Sequence, residues 1–227
     1  KMKKIIISIF MISCLVSNLY STPTINGPTG LITVPTAEAL KFREVNVGID
    51  YFMKDIEDTT KDHYFYKLNL GTFQNCELGI IGGSFLEEGV LLNVKYFALN
   101  EEDRFPLALA LGIENLSSKL NSSLYMVASK KFRGGFNGHV GFNANFKSEN
   151  ESSRIIPNMM GGIEYFFSDL ISVMVDFKGD DDFYKINLGS NYHVSDFLVF
   201  NMHFLDVGSV SNTGSSLNIG CVISKFM

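Results

Sequence analysis

The stretch Phe105 to Glu114 reads FPLALALGIE. In an extended chain it puts Leu107, Leu109, Leu111 and Ile113 on one side and Ala108, Ala110, Gly112 and Glu114 on the other. A half-buried soluble sheet would turn the large apolar set inward and carry solvated polar residues outside. Here the second side is mostly small. That suits a strand whose leucines touch lipid while its alanines, glycine and glutamate leave room in a crowded interior. Which solvent meets each side depends on whether the same split holds along the chain.

It holds from residue 44 onward. VNVGIDYF sets Val45, Val47, Ile49 and Tyr51 against Asn46, Gly48 and Asp50, and YFYKLNLG sets Tyr64, Tyr66, Leu68 and Leu70 against Lys67 and Asn69. HVGFNANF opposes Val140, Phe142, Ala144 and Phe146 to His139, Gly141, Asn143 and Asn145. YKINLGSNYHV and DFLVFNMHF repeat the division near the end of the chain. One face is oily and aromatic throughout; the other mixes both charge signs with Gly, Asn and Ser. A secreted sandwich or a lipocalin-like barrel would alternate as regularly. It would also have to bury a dozen large apolar faces beneath an outside made of Asp, Lys, Glu, Asn and Gly. The oily face therefore belongs against lipid, and the polar face lines a lumen. The lumen-facing candidates are Asp50, Lys67, Lys95, Glu114, His139, Glu164, Asp176, Lys185 and His203, with Glu77 on the same face.

The pattern predicts an all-β, transmembrane, antiparallel up-and-down barrel of about twelve strands over residues 44–227. The strands are expected at 44–52, 63–71, 76–85, 89–98, 106–115, 122–132, 136–147, 159–167, 170–178, 183–194, 197–205 and 215–226. Most reach the roughly 9–11 residues a tilted strand needs to cross a bilayer. With both barrel ends periplasmic, the turns there are short, whereas MKDIEDTTKDH, LEE, residues 116–121, SENESSRIIPN, GDDD and VGSVSNTG fall on the outer side. Short inner turns and longer outer loops are the outer-membrane arrangement. Lys130 and Lys225 are the lipid-side charges, both near the periplasmic end where a lysine reaches water at small cost.

The first residues, KMKKIIISIFMISCLVSNLYS, combine a lysine-rich start, an apolar run from Ile5 to Val16 and a small or polar tail, which describes a secretory signal peptide over 1–21. The apolar run is too short for a spanning helix. The expected location is therefore the bacterial outer membrane after export. Cys14 is a weak candidate for lipidation, and Cys76 and Cys221 alone make no disulfide framework. A net charge of −5, more negative still without Lys1, Lys3 and Lys4, offers no basic patch for nucleic acid.

Residues 22–43 form a periplasmic segment or a small plug, punctuated by Pro28, Gly30 and Pro35, with one helical turn expected over 37–40. Within it GLITVPTA, carrying Gly30, Leu31, Ile32, Pro35, Thr36 and Ala37, resembles the G-L-I-x-x-P-T-A motif that opens the barrels of the YjbH-like family. An alternating strand with Val47, Gly48 and Tyr51 follows, as in that family. The resemblance implies an outer-membrane barrel associated with exopolysaccharide production.

Nothing along the chain assembles a catalytic, cofactor or metal site. His63, His139, His193 and His203 have no nucleophile motif around them, and HExxH, CxxC and P-loop patterns are absent. GDDD lacks the remaining ligands of a calcium loop. Two non-enzymatic functions stay open. One is a narrow channel or the membrane component of polysaccharide or solute export; the other is a surface-exposed structural protein or adhesin with a closed lumen. The expected partners are outer-membrane lipid, the barrel-insertion machinery addressed by the terminal strand SLNIGCVISKFM with its Phe226, and polysaccharide or small solutes.

Overall fold

The computed structural model describes residues 22–54, 63–73, 75–84, 86, 88–101, 105–149, 152–180, 183–207 and 215–226. The expected signal peptide and Cys14, the acids Asp181 and Asp182 of GDDD, and Met227 lie outside the described residues. Twelve strands are described: β1 (Glu44–Lys54), β2 (His63–Phe73), β3 (Cys76–Gly83), β4 (Leu91–Leu99), β5 (Ala108–Glu114) and β6 (Asn121–Phe132). They continue with β7 (Phe136–Glu149), β8 (Ser152–Ser168), β9 (Ile171–Asp180), β10 (Phe183–Ser195), β11 (Leu198–Leu205) and β12 (Ser216–Phe226). Each pairs antiparallel with its sequence neighbour, and β1 pairs with β12 from Glu44↔Phe226 to Lys54↔Ser216, which closes the barrel. Closure pairs every strand with two neighbours, so the backbone polar groups of the wall find partners within it over the shared register, as hydrocarbon requires.

The period-2 split decides the two faces. Val47, Ile49 and Tyr51 point outward and are 46%, 60% and 37% exposed, while Asn46 and Asp50 between them are fully covered. Phe73, Phe132, Phe136, Phe167 and Phe197 are also exposed, and all sit where strands meet the turns at one end. They make an aromatic girdle without tryptophan. Lys130 leaves the apolar wall at this end, donating 2.8 Å to the Pro106 carbonyl and lying 3.8 Å from Glu101. A belt of this kind is a surface for lipid, not water.

Strand ends follow the expected ones within two residues, with one exception. SENESSRIIPN was expected as an outer loop, but β8 begins at Ser152 and pairs with β7 from Glu149↔Ser152 through Ala144↔Pro157. Pro157 hides the strand in the sequence. It falls where β7 is the ladder partner, since pairing with β9 begins only at Met160, and proline is tolerated on such an edge. At the other end Phe105 and Leu107 stay in the β4–β5 connection, so the opening stretch supplies a strand only from Ala108. The contrast in turn length is therefore weaker than expected. The outer side has connections at 55–62, 84–90, 115–120, 150–151, 181–182 and 206–215, and the other has 74–75, 100–107, 133–135, 169–170 and 196–197. On the outer side Glu88 accepts bonds from the Ser118 hydroxyl and the Lys119 N–H, which together hold its carboxyl below the usual range.

Orientation has a direct check. In a background lacking Cys76 and Cys221, Lys119→Cys should react with a membrane-impermeant thiol reagent on intact cells, and Asp196→Cys should react only after the outer membrane is permeabilised. Both side chains are exposed at opposite ends of the barrel. The opposite labelling pattern would invert the topology.

Candidate functional site: the lumen and its inner segment

Residues 22–40 turn into the barrel before β1 begins. Their folding is local and tight. Gly27 has φ of 112°, a conformation open to glycine and strained for other residues, and lets Thr24 N–H reach the Pro28 carbonyl at 2.8 Å. Ile25 N–H bonds Ile32 O at 2.8 Å, and Leu31 N–H bonds Val34 O at 2.9 Å. Short bridges Pro23↔Thr29 and Gly30↔Pro35 finish a compact knot. No helical turn forms at 37–40. The Ala37 N–H goes instead to Ser129 Oγ at 2.8 Å and the Leu40 N–H to Glu77 Oε2 at 3.2 Å, so wall side chains take the donors a turn would use.

The wall grips this knot at two opposite places. On one side Glu77 of β3 accepts from the Thr29 N–H at 2.9 Å and the Thr29 hydroxyl at 2.7 Å. Lys95, directly opposite Glu77 on β4, donates to the Thr29 carbonyl at 2.7 Å and also to the Thr29 hydroxyl. On the other side Asp176 of β9 receives three consecutive backbone N–H groups in one oxygen: Ile32 at 3.0 Å, Thr33 at 2.6 Å and Val34 at 3.0 Å. Its second oxygen accepts from the Thr33 hydroxyl at 3.1 Å and from Asn187 at 2.7 Å. Successive N–H groups curled around one anion form a nest, here built by GLITVPTA around the protein's own carboxylate. Lys67, ion-paired with Asp50, holds the Thr24 carbonyl at 2.9 Å, and Asn69 holds the Gly27 carbonyl at 2.6 Å.

Apolar packing adds to these bonds. Val34 and Ala37 pack with Ala108, Ala110, Tyr125, Val127 and Met160, and Ile25, Leu31 and Ile32 pack around Met174. The inner small residues of the opening stretch thus meet the knot as well as neighbouring wall chains. Two wall glycines supply further space: a methyl on Gly162 would come 2.5 Å from Leu31, and one on Gly189 would come 2.9 Å from Ile32.

Two small chambers flank the knot. The one toward the barrel's terminal end has a volume near 30 Å³, room for about one or two waters, and is lined by Glu38, Glu164, His139, His193 and their neighbours. The outer chamber, near 200 Å³, is lined by Asn26 and Thr33 of the knot together with Glu114, Ser123, Lys178 and Lys185 of the wall. Of the nine lumen candidates, Asp50, Lys67, Lys95, Asp176 and, through Ser129, His139 bear on the knot. Glu114 is ion-paired to Lys178 at 2.6 Å, Glu164 and Lys185 border the chambers, and His203 faces Asn218 at 3.2 Å. Lys178, Ser129 and Asn187 also bear on the site and were not singled out from the sequence. Lys178 is two residues beyond Asp176 on the same face, so the alternation, carried one step further, would have found it. Among the described residues no group of three His, Cys, Asp or Glu side chains is placed to hold a metal ion.

No protein-family model and no curated protein matches the chain in sequence. Solved structures do match in shape. The KdgM porin superposes with a TM-score of 0.57 at 9% identity, over 80% of this chain and 99% of that one. The NanC porin superposes with 0.54 at 12% identity, over 79% and 98%. The closed twelve-stranded antiparallel barrel is the fold this chain shares with these porins. A KdgM porin in complex with disordered oligogalacturonate gives 0.55 at 11% identity, over 80% and 99%. At such identities the likeness carries the fold alone.

Proposed function

We propose that this protein is a narrow outer-membrane channel for polar solutes, of the carbohydrate class, closed at rest by residues 22–40 acting as a plug. One observation carries the reading. A barrel with no path to close can fill its bore with wall side chains, as eight-stranded barrels do; a twelve-stranded bore is wider, and here a separate stretch of chain fills it. That stretch is fastened by hydrogen bonds from charged wall side chains beside its apolar packing, and water can replace the hydrogen bonds at modest net cost once the bore is wet. Part of its fastening is thus exchangeable with water, as an all-apolar seal would not be. The porin-like fold, the resemblance of GLITVPTA to the exopolysaccharide-associated YjbH-like barrels, and a fold neighbour in complex with disordered oligogalacturonate support the solute class.

Planar-bilayer recording tests this. The full chain is expected to stay closed or to open rarely, and a chain lacking Asn26 to Leu40 to conduct in steady, discrete steps. Silence from both, with the barrel shown to be folded, would defeat the channel and leave a closed surface scaffold.

A further inference from the structure

Two outward-facing lysines stand at the barrel's terminal end, and the wall neutralises one of them. Lys130 lies 3.8 Å from Glu101 and donates to the Pro106 carbonyl. Lys225 is exposed on the outer face of β12, opposite Val45 of β1, and makes no ion pair among the described residues. A second unpaired cation, Arg43, stands at the same corner, one residue before the Glu44↔Phe226 pair that starts β1. Its φ of 69° is a left-handed conformation that arginine seldom adopts. The turn is fixed by bonds from Arg43 N–H to Gly71 O at 2.8 Å and from Glu44 N–H to Lys41 O at 2.9 Å. The guanidinium lies 5.3 Å from the centroid of the Phe42 ring, itself exposed. Glu44 is buried and accepts the Lys41 N–H at 2.9 Å, and Asp196 in the neighbouring turn pairs with neither cation.

From this corner toward mid-membrane the outer residues Val47, Ile223 and Phe200 are apolar and exposed. Exposed Phe73 borders the corner on β2, and exposed Phe197 borders it beside β12, its carbonyl accepting the Ser224 N–H at 2.9 Å. Two unpaired cations at the polar edge of an apolar strip match an amphipath with one anionic head. A soluble anion would meet the cations and leave the strip; a lipid of no net charge would cover the strip and neutralise neither cation. We propose that Arg43 and Lys225 hold the phosphodiester of an anionic phospholipid whose acyl chains lie along Val47, Ile223 and Phe200. A guanidinium offers paired N–H donors to phosphate oxygens, and a lysine extends over apolar surface to reach the same group. The lipid belongs to the leaflet at the barrel's terminal end, the inner one in the topology expected from the turns. The inference rests on the oily face meeting lipid and needs no channel.

Native mass spectrometry of the full chain, folded in detergent, tests the site. Phosphatidylglycerol and phosphatidylcholine with identical acyl chains are added in equal amounts, and glycerol 1-phosphate serves separately as a head without chains. Phosphatidylglycerol should be retained about fivefold over phosphatidylcholine, and glycerol 1-phosphate should not be retained. Arg43→Asn combined with Lys225→Gln should erase the preference, asparagine being better suited than arginine to a φ of 69°. Lys225→Gln alone should roughly halve it. Lys130→Gln, which removes a lysine already paired, should keep it, with the folding of every variant verified by the heat-dependent gel shift. Equal retention of the two lipids by the wild type, an undiminished preference in the double variant, an equal loss in Lys130→Gln, or glycerol 1-phosphate held as well as phosphatidylglycerol would each overturn the site. Equal retention of the two lipids would still leave the oily face against lipid. Normal folding of Leu111→Arg in vesicles, by contrast, would remove the lipid face itself.

Discussion

Replacing Asp176 with alanine should open the barrel while leaving its wall intact. In the native protein one carboxylate satisfies the N–H groups of Ile32, Thr33 and Val34 together with the Thr33 hydroxyl, all inside the lumen. Removing it strands three donors inside the lumen, and a buried donor left without an acceptor costs about 1–3 kcal/mol. None of the three N–H groups takes part in pairing the wall strands, so the loss falls on the docking of the knot. Expected results are steady conductance in bilayers and rapid proteolysis within residues 26–40 by a protease added on the barrel's terminal side. The temperature at which the barrel band shifts on a gel should be unchanged. Asp176→Asn keeps the volume and one acceptor but turns an amide N–H₂ toward donors, so it should give an intermediate open fraction. An Asp176→Ala protein as silent and as protease-resistant as the wild type would show that the nest does not hold the segment.

The wall was legible because alternation is a local signal that needs no knowledge of partners. HVGFNANF declares both faces of β7 by itself. β8 was half lost because Pro157 and a run of Ser, Asn and Glu look like loop chemistry, and only the pairing with β7 overrides them. The inner segment was harder still. Its Gly and Pro punctuation marks a compact turn, and Leu31, Ile32 and Val34 would be poor residues for an exposed linker. Yet what they dock against lies more than 140 residues away in Asp176. Pairings among the lumen charges needed the register as well. Asp50 and Lys67 meet on a diagonal, with Asp50 opposite Phe65, and Lys178 meets Glu114 across the bore rather than along a ladder. A face can be read from one strand; a contact across the lumen requires the closed barrel.

The outer surface should fail as completely as the lumen, through a different route. Leu111 lies midway along β5 and is 45% exposed, with Tyr96 and Met126 beside it on β4 and β6, themselves 50% and 48% exposed. If this belt faces hydrocarbon, Leu111→Arg places a guanidinium near the bilayer midplane at a cost of about 2–4 kcal/mol, enough to cut the folded fraction sharply in a barrel of modest stability. Leu111→Phe keeps the transfer energy and should fold normally. The measurement is the fraction that migrates as folded barrel before heating, after refolding into vesicles, with detergent micelles as a second solvent. Arginine can reach water more easily from a micelle, so the defect should be larger in the bilayer. Wild-type yield of Leu111→Arg in vesicles would mean that this face meets water or another protein surface, and the membrane assignment of the oily face would fall with it.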